Sequence, residues 1–170
     1  MTFQVPIPPA STADLGQMPL AAFEFDEFET RLLAPMRHFL TASAAPGCQA
    51  WHRAFVIAAE NWGETHGLAV AYALWPVLRE THALLGSELS YNDPLDMDMR
   101  GLLTPDEARL LYMLHHMRRD ETAQARDAVE ALSRGRLEPE LIRAGLSFAD
   151  RFPCGARHRL RGTPLLRLVG

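Results

Sequence analysis

The sequence predicts an all-α fold, a single compact bundle of about five to seven helices over residues 23–152. An extended, proline-rich arm precedes it at 1–22 and a basic tail follows it at 153–170. Three observations carry this. Apolar residues recur at steps of three and four, while no stretch alternates strongly at a period of two. Helix start and stop signals punctuate the chain, the fullest being Thr104, Pro105 and Glu107. A length of 170 residues, 48% of them hydrophobic, suffices for one domain with its own core.

Taken in order, Pro6, Pro8, Pro9 and Pro19 keep the first twenty residues out of a helix. "TFQVPI" near the start and "PLLRLV" near the end suit short extended pieces. Phe25, Phe28, Leu32, Leu33, Met36, Phe39 and Leu40 form the stripe of an amphipathic helix over 23–40, which Pro35 either kinks or starts. Residues 46–86 read as one interrupted helix or two consecutive ones, with Gly63 and Gly67 as the points of weakness and Gly86 as the C-terminal stop. Within it 67–78 is apolar on nearly every side, the pattern of a central helix surrounded by others.

After Thr104, a single long helix would place Arg118 and Glu121 on its apolar stripe, so a break is expected at 118–121. A last helix runs from Pro139 to Phe152, where Pro153 stops it. No fixed-period repeat is present.

The net charge of -4 and pI near 6 give no general attraction to nucleic acid or anionic lipid. All 17 basic residues are arginine. Arg157, Arg159, Arg161 and Arg167 make the tail locally basic, and it is expected to fold back on the acids Glu24, Asp26, Glu27 and Glu29. Cys48 and Cys154 share no pairing motif, the start lacks the pattern of a secretory signal, and the longest charge-free apolar run is too short to cross a bilayer. A cytoplasmic protein with reduced thiols is expected.

One stretch, "DMDMRGLLTPDE" at 96–107, resembles an EF-hand calcium loop, with Asp96, Asp98, Gly101, Leu103 and Glu107 at positions one, three, six, eight and twelve. The resemblance covers these twelve residues only. Arg100 at position five offers no acceptor oxygen and adds a positive charge, and "SELSYNDP" before it forms turns rather than a helix. Thr104 and Glu107 as capping-box partners and Asp106 at the positive helix end explain the same residues, so the stretch is expected to start a helix.

The seven histidines show no Glu-x-x-His pair, no His-x-x-x-His and no Cys-x-x-Cys-His. The two "ETH" tripeptides, at 64–66 and 80–82, lie about 160 degrees apart around a straight helix and cannot share a site. Of His115 and His116 at most one faces inward, with His116 expected in solvent and His115 at the boundary. Cys154 and His158 supply half a zinc site. No nucleophile elbow, phosphate loop or dinucleotide fingerprint is present, and 104–133 is not basic enough for a DNA-reading hairpin.

No metal and no cofactor is expected from these patterns. The expected function is protein association, as a homodimer or an adaptor, because Trp51, Phe55, Trp62, Tyr72 and Trp75 exceed what the core needs. Nucleic acid and membrane are not expected partners. The alternative is a ligand-binding or catalytic bundle in which Trp62, His66, Tyr72 and Trp75 line a pocket.

Overall fold

Asp26 opens the first helix through a reciprocal cap: its carboxylate accepts the Glu29 N–H at 2.8 Å, and the Glu29 carboxylate accepts the Asp26 N–H at 2.9 Å. The computed structural model describes residues 16–136 and 138–155, and within them the architecture is six α-helices, two single 3-10 turns at Leu20–Ala22 and Gly86–Glu88, and one two-residue strand pair. Helix α1 spans Glu27–Ala44, starting four residues later than its apolar stripe, because Phe23 and Phe25 pack as a stacked pair against Tyr112 instead. Pro35 lies inside α1, not at its start. Having no N–H, it leaves the Arg31 carbonyl without its helical donor. The Asn61 side-chain amide supplies the missing hydrogen bond at 3.2 Å, and Arg31 Nη1 returns one to the Asn61 carbonyl at 3.0 Å.

Residues 46–86 resolve into two helices, α2 at Ala50–Trp62 and α3 at Glu64–Leu85. The break is Gly63, whose φ of 80° and ψ of 158° lie in a region essentially reserved for glycine. Gly67 then permits the hairpin to close: a Cβ there would sit 2.1 Å from the Ala58 carbonyl oxygen. Helix α3 packs on α1, α2 and α6 (Pro139–Arg151) through Val70, Leu74, Val77 and Leu78. Its other face is open, with Leu68, Ala69 and Tyr72 exposed, so the helix expected to be enclosed is covered on one side only.

Residues 86–104 form an irregular crossing that ends in the capping box of α4, Pro105–Arg119. Its strand β2, Leu102–Leu103, pairs antiparallel with β1, Met18–Pro19, placing Met18 opposite Leu103. The end of the N-terminal arm is thereby tied to the bundle. The crossing is secured by a buried ion pair, Arg37 Nε to Glu107 Oε1 at 2.6 Å, and Glu107 also accepts the Asn92 and Thr104 N–H groups. Glu107, twelfth in the calcium-loop alignment, is therefore engaged in starting a helix, as expected.

The chain breaks where the sequence predicts, at Asp120 in a left-handed conformation, φ 60° and ψ 29°, which short polar side chains tolerate. Helix α5 follows at Thr122–Leu132 and lies against α4. Phe39, Leu32, Met36, Leu74, Leu110, Leu114 and Phe148, all fully buried, form the shared core of α1, α3, α4 and α6. Among the described residues no helix is long and apolar enough to cross a membrane. The basic tail beyond 155, with "PLLRLV", and the opening "TFQVPI" lie outside the described residues.

Candidate functional site

Two features stand out from this frame. The first is a polar corner where the α4–α5 turn meets the start of α1. Glu29 is wholly buried there, yet its carboxylate accepts from Arg118 Nη1 and Arg119 Nη1, each at 2.5 Å, and lies 2.9 Å from His115 Nδ1. Asp26 accepts from Arg118 at 2.9 Å and Arg119 at 3.3 Å, and Cys154 Sγ lies 3.8 Å from it. The Arg118 guanidinium also sits 4.4 Å over the Phe28 ring. Burial by itself would raise the pKa of Glu29, but hydrogen bonds from His115, Arg119 and the Asp26 amide, with the His115 charge, outweigh it and hold the group at about 2. The acids expected to receive the basic tail are thus partly matched within the bundle: Arg118 and Arg119 serve Asp26 and Glu29, and Arg31 serves Glu27.

Next to this hub stand His115, His116 and Glu121. A ring nitrogen of each histidine and a carboxylate oxygen of Glu121 all lie within 4.8 Å of one another. His116 is not in solvent as its helical position suggests. Its ring stacks on Tyr112 at 5.6 Å, and its Nδ1 lies 2.6 Å from Glu121 Oε2, because the left-handed turn at Asp120 folds Glu121 back over the end of α4. His116 and Glu121 also line an apolar groove of about 240 Å³ with Met117, Val129, Ile142 and Leu146. A more polar groove of about 560 Å³ between α4 and α6 adjoins it through Met117, Asp120 and Leu146.

The second feature is the outward face of the α2–α3 hairpin. Trp51 is 49% exposed and Tyr72 66%, with Phe55 between them, 6.5 Å from the Trp51 ring and 4.9 Å from the Tyr72 ring. Leu68, one turn before Tyr72, is exposed beside them. From Thr65 to Leu78 the helix carries no acid and no arginine.

The four residues proposed for a pocket divide into two pairs, Trp62 and His66 on the stacked Phe28 and Phe152 rings, Trp75 and Tyr72 on the Phe39 and Phe55 rings. Trp62 packs on Phe28, His66 meets the edge of Phe152, Trp75 packs on Phe39, and Tyr72 faces outward against Phe55. None of them lines the grooves described above. His115, His116 and Glu121 were not assembled by sequence reasoning, since no spacing rule joins Glu121 to the helix before the turn. Glu29 lies 86 residues away from His115 in sequence. Cys48 and Cys154 are both free thiols, and His158 lies outside the described residues.

Comparison of the chain with protein-family models, with curated proteins and with solved structures finds no match.

Proposed function

We propose that the protein acts by associating with a second copy of itself through the open face of α3 and the adjoining edge of α2. One observation carries this reading: the helix face presented to water between Thr65 and Leu78 has no ionised carboxylate or guanidinium and displays Leu68, Ala69 and Tyr72, continuous with Phe55 and Trp51. A solvent-facing helix surface is normally the polar one. Contiguous apolar surface rimmed by charge is the common mark of a protein contact, and aromatic anchors dominate the energetics of such contacts.

A second copy suits the charges at the edges. Glu64 lies at the start of α3 and Arg79 some fifteen residues on, about 22 Å along the axis. Two α3 helices packed antiparallel about a two-fold axis bring the Glu64 end of each to the Arg79 end of the other, where Arg79, paired with Glu80 at 2.7 Å in the single chain, would turn to the partner copy's acid. A stable interface commits about 800 Å² per partner, so the contact would extend from these apolar side chains to the charged edges of the face.

Sedimentation equilibrium tests it. A dimer mass at micromolar concentration is expected. Tyr72→Arg and Trp51→Arg, both at exposed positions, should give monomers with an unchanged helical circular dichroism spectrum. A wild-type chain that stays monomeric at about 100 µM, where even weak dimers assemble, overturns the reading.

A further inference from the structure

The geometry points to a binding site for a divalent transition metal of the zinc class at His115, His116 and Glu121, and we propose it as a property separate from the association face. Two imidazoles and one carboxylate are the donor set that holds such ions while leaving coordination positions open. Among the described residues this is the group of histidine, cysteine, aspartate and glutamate side chains whose ligand atoms approach closely enough, all within 4.8 Å. Donors on a bound ion stand about 3 to 3.4 Å apart, given bonds near 2.1 Å. The set must therefore contract by up to about 1.5 Å, within reach of side-chain rotation. His116 and Glu121, with side chains 18% and 39% exposed, are free enough to make that adjustment.

The surroundings supply a second, independent argument. His115 donates its Nδ1–H to the buried carboxylate of Glu29 at 2.9 Å, which fixes the ring and directs its other nitrogen, Nε2, to act as the ligand. A carboxylate behind a ligating histidine is the usual support of such a ligand, orienting it and raising its basicity. Arg118 and Arg119 both donate to Oε1 of Glu29, which fixes the carboxylate and leaves Oε2 facing His115. On the other side, His116 Nδ1 and Glu121 Oε2 already stand 2.6 Å apart, and an ion takes the place of the hydrogen bond between them.

The site stands at the rim of a groove. His116 and Glu121 are lining residues of the apolar cavity between α4, α5 and α6, so water or a small ligand entering there reaches the metal's remaining positions.

The test uses the full chain stripped with a chelator and titrated with Zn²⁺ by calorimetry and with Co²⁺ by visible absorption. One ion per chain is expected, with a dissociation constant in the micromolar range or tighter. His116→Ala and Glu121→Gln should each weaken binding at least tenfold with the melting temperature of the metal-free chain unchanged, while His52→Ala, on the exposed start of α2, should bind as wild type. Glu29→Gln should weaken binding about 10- to 100-fold through His115, a loss typical of removing such a support. Absence of saturable one-to-one binding up to about 100 µM, or binding that survives both His116→Ala and Glu121→Gln, overturns the proposal.

Discussion

A single methyl group at position 67 decides between two readings of the α2–α3 hairpin, because the sign of its effect differs. Gly67 lies inside α3, where replacing glycine with alanine ordinarily stabilises a helix by about 1 kcal/mol. Here the added Cβ would lie 2.1 Å from the Ala58 oxygen, 2.5 Å from the Ala58 carbonyl carbon and 2.7 Å from the Ala59 Cα. Ordinary contact is about 3.5 Å, so the overlaps run from about 0.8 to 1.4 Å, and all three atoms are backbone that cannot rotate away. Overpacking against movable side chains costs about 1–3 kcal/mol, and rigid backbone puts this case at the upper end. Subtracting the propensity gain leaves Gly67→Ala destabilised by about 2 kcal/mol.

The assay is urea denaturation followed by circular dichroism, with Ala69→Gly on the exposed side of α3 as the control. That control should lose about 1 kcal/mol through propensity alone. Separating α2 from α3 also disturbs the 4.9 Å contact of Phe55 with Tyr72, so dimerisation should weaken alongside stability. A Gly67→Ala protein whose denaturation midpoint rises would refute the close approach of the two helices and with it the geometry of the aromatic face.

Four further outcomes follow from the same structure. Glu29 titrates at about 2 when folded against an ordinary value of 4.5. Its depressed pKa contributes stability above pH 4.5 that is lost as pH falls toward 2, roughly 3 kcal/mol in all, so unfolding free energy measured from pH 7 to pH 2.5 in chelator should fall less steeply in Glu29→Gln. An identical slope in the two proteins would contradict the buried hub. Asn61→Ala should cost about 0.5–1.5 kcal/mol in wild type and much less in a Pro35→Ala background, where the helix regains its own donor; additivity in that double-mutant cycle would sink the account of Pro35. Thr104→Ala removes the cap of α4 and a 2.7 Å hydrogen bond to the Ser90 carbonyl, an expected loss of about 1–2 kcal/mol by chemical denaturation. Phe148→Ala empties a fully buried ring that contacts Phe28 and Phe152, and thermal melts should show a loss of about 3–5 kcal/mol.

Local rules on the chain itself determined which segments are helical and several of the places where they begin and end. The capping box at Thr104 and Glu107, the break at 118–121 and the stop before Pro153 are read from residues within a few positions of one another, and each forms as expected. The arginine and acid on the apolar stripe at 118 and 121 signalled a break for a sound reason, since a continuous helix would bury both charges without partners. Arg118 is buried all the same, because tertiary packing brings it Glu29 and Asp26 from 89 and 92 residues away.

Only the tertiary structure decided which apolar surface stays in water and which polar groups meet. Periodicity gives a helix its apolar side but not the number of neighbours available to cover it, so α3 read as enclosed while leaving Tyr72 and Leu68 outside. Of the pocket residues, Trp62 and His66 joined the Phe28–Phe152 cluster while Trp75 went to Phe39, since burial is non-directional and is satisfied by whichever ring packs nearest. His115, His116 and Glu121 converge through one left-handed residue, and Glu29 joins them through the docking of α1 on α4. Local sequence sets backbone conformation over a few residues, whereas the meeting of distant charges depends on how whole helices pack.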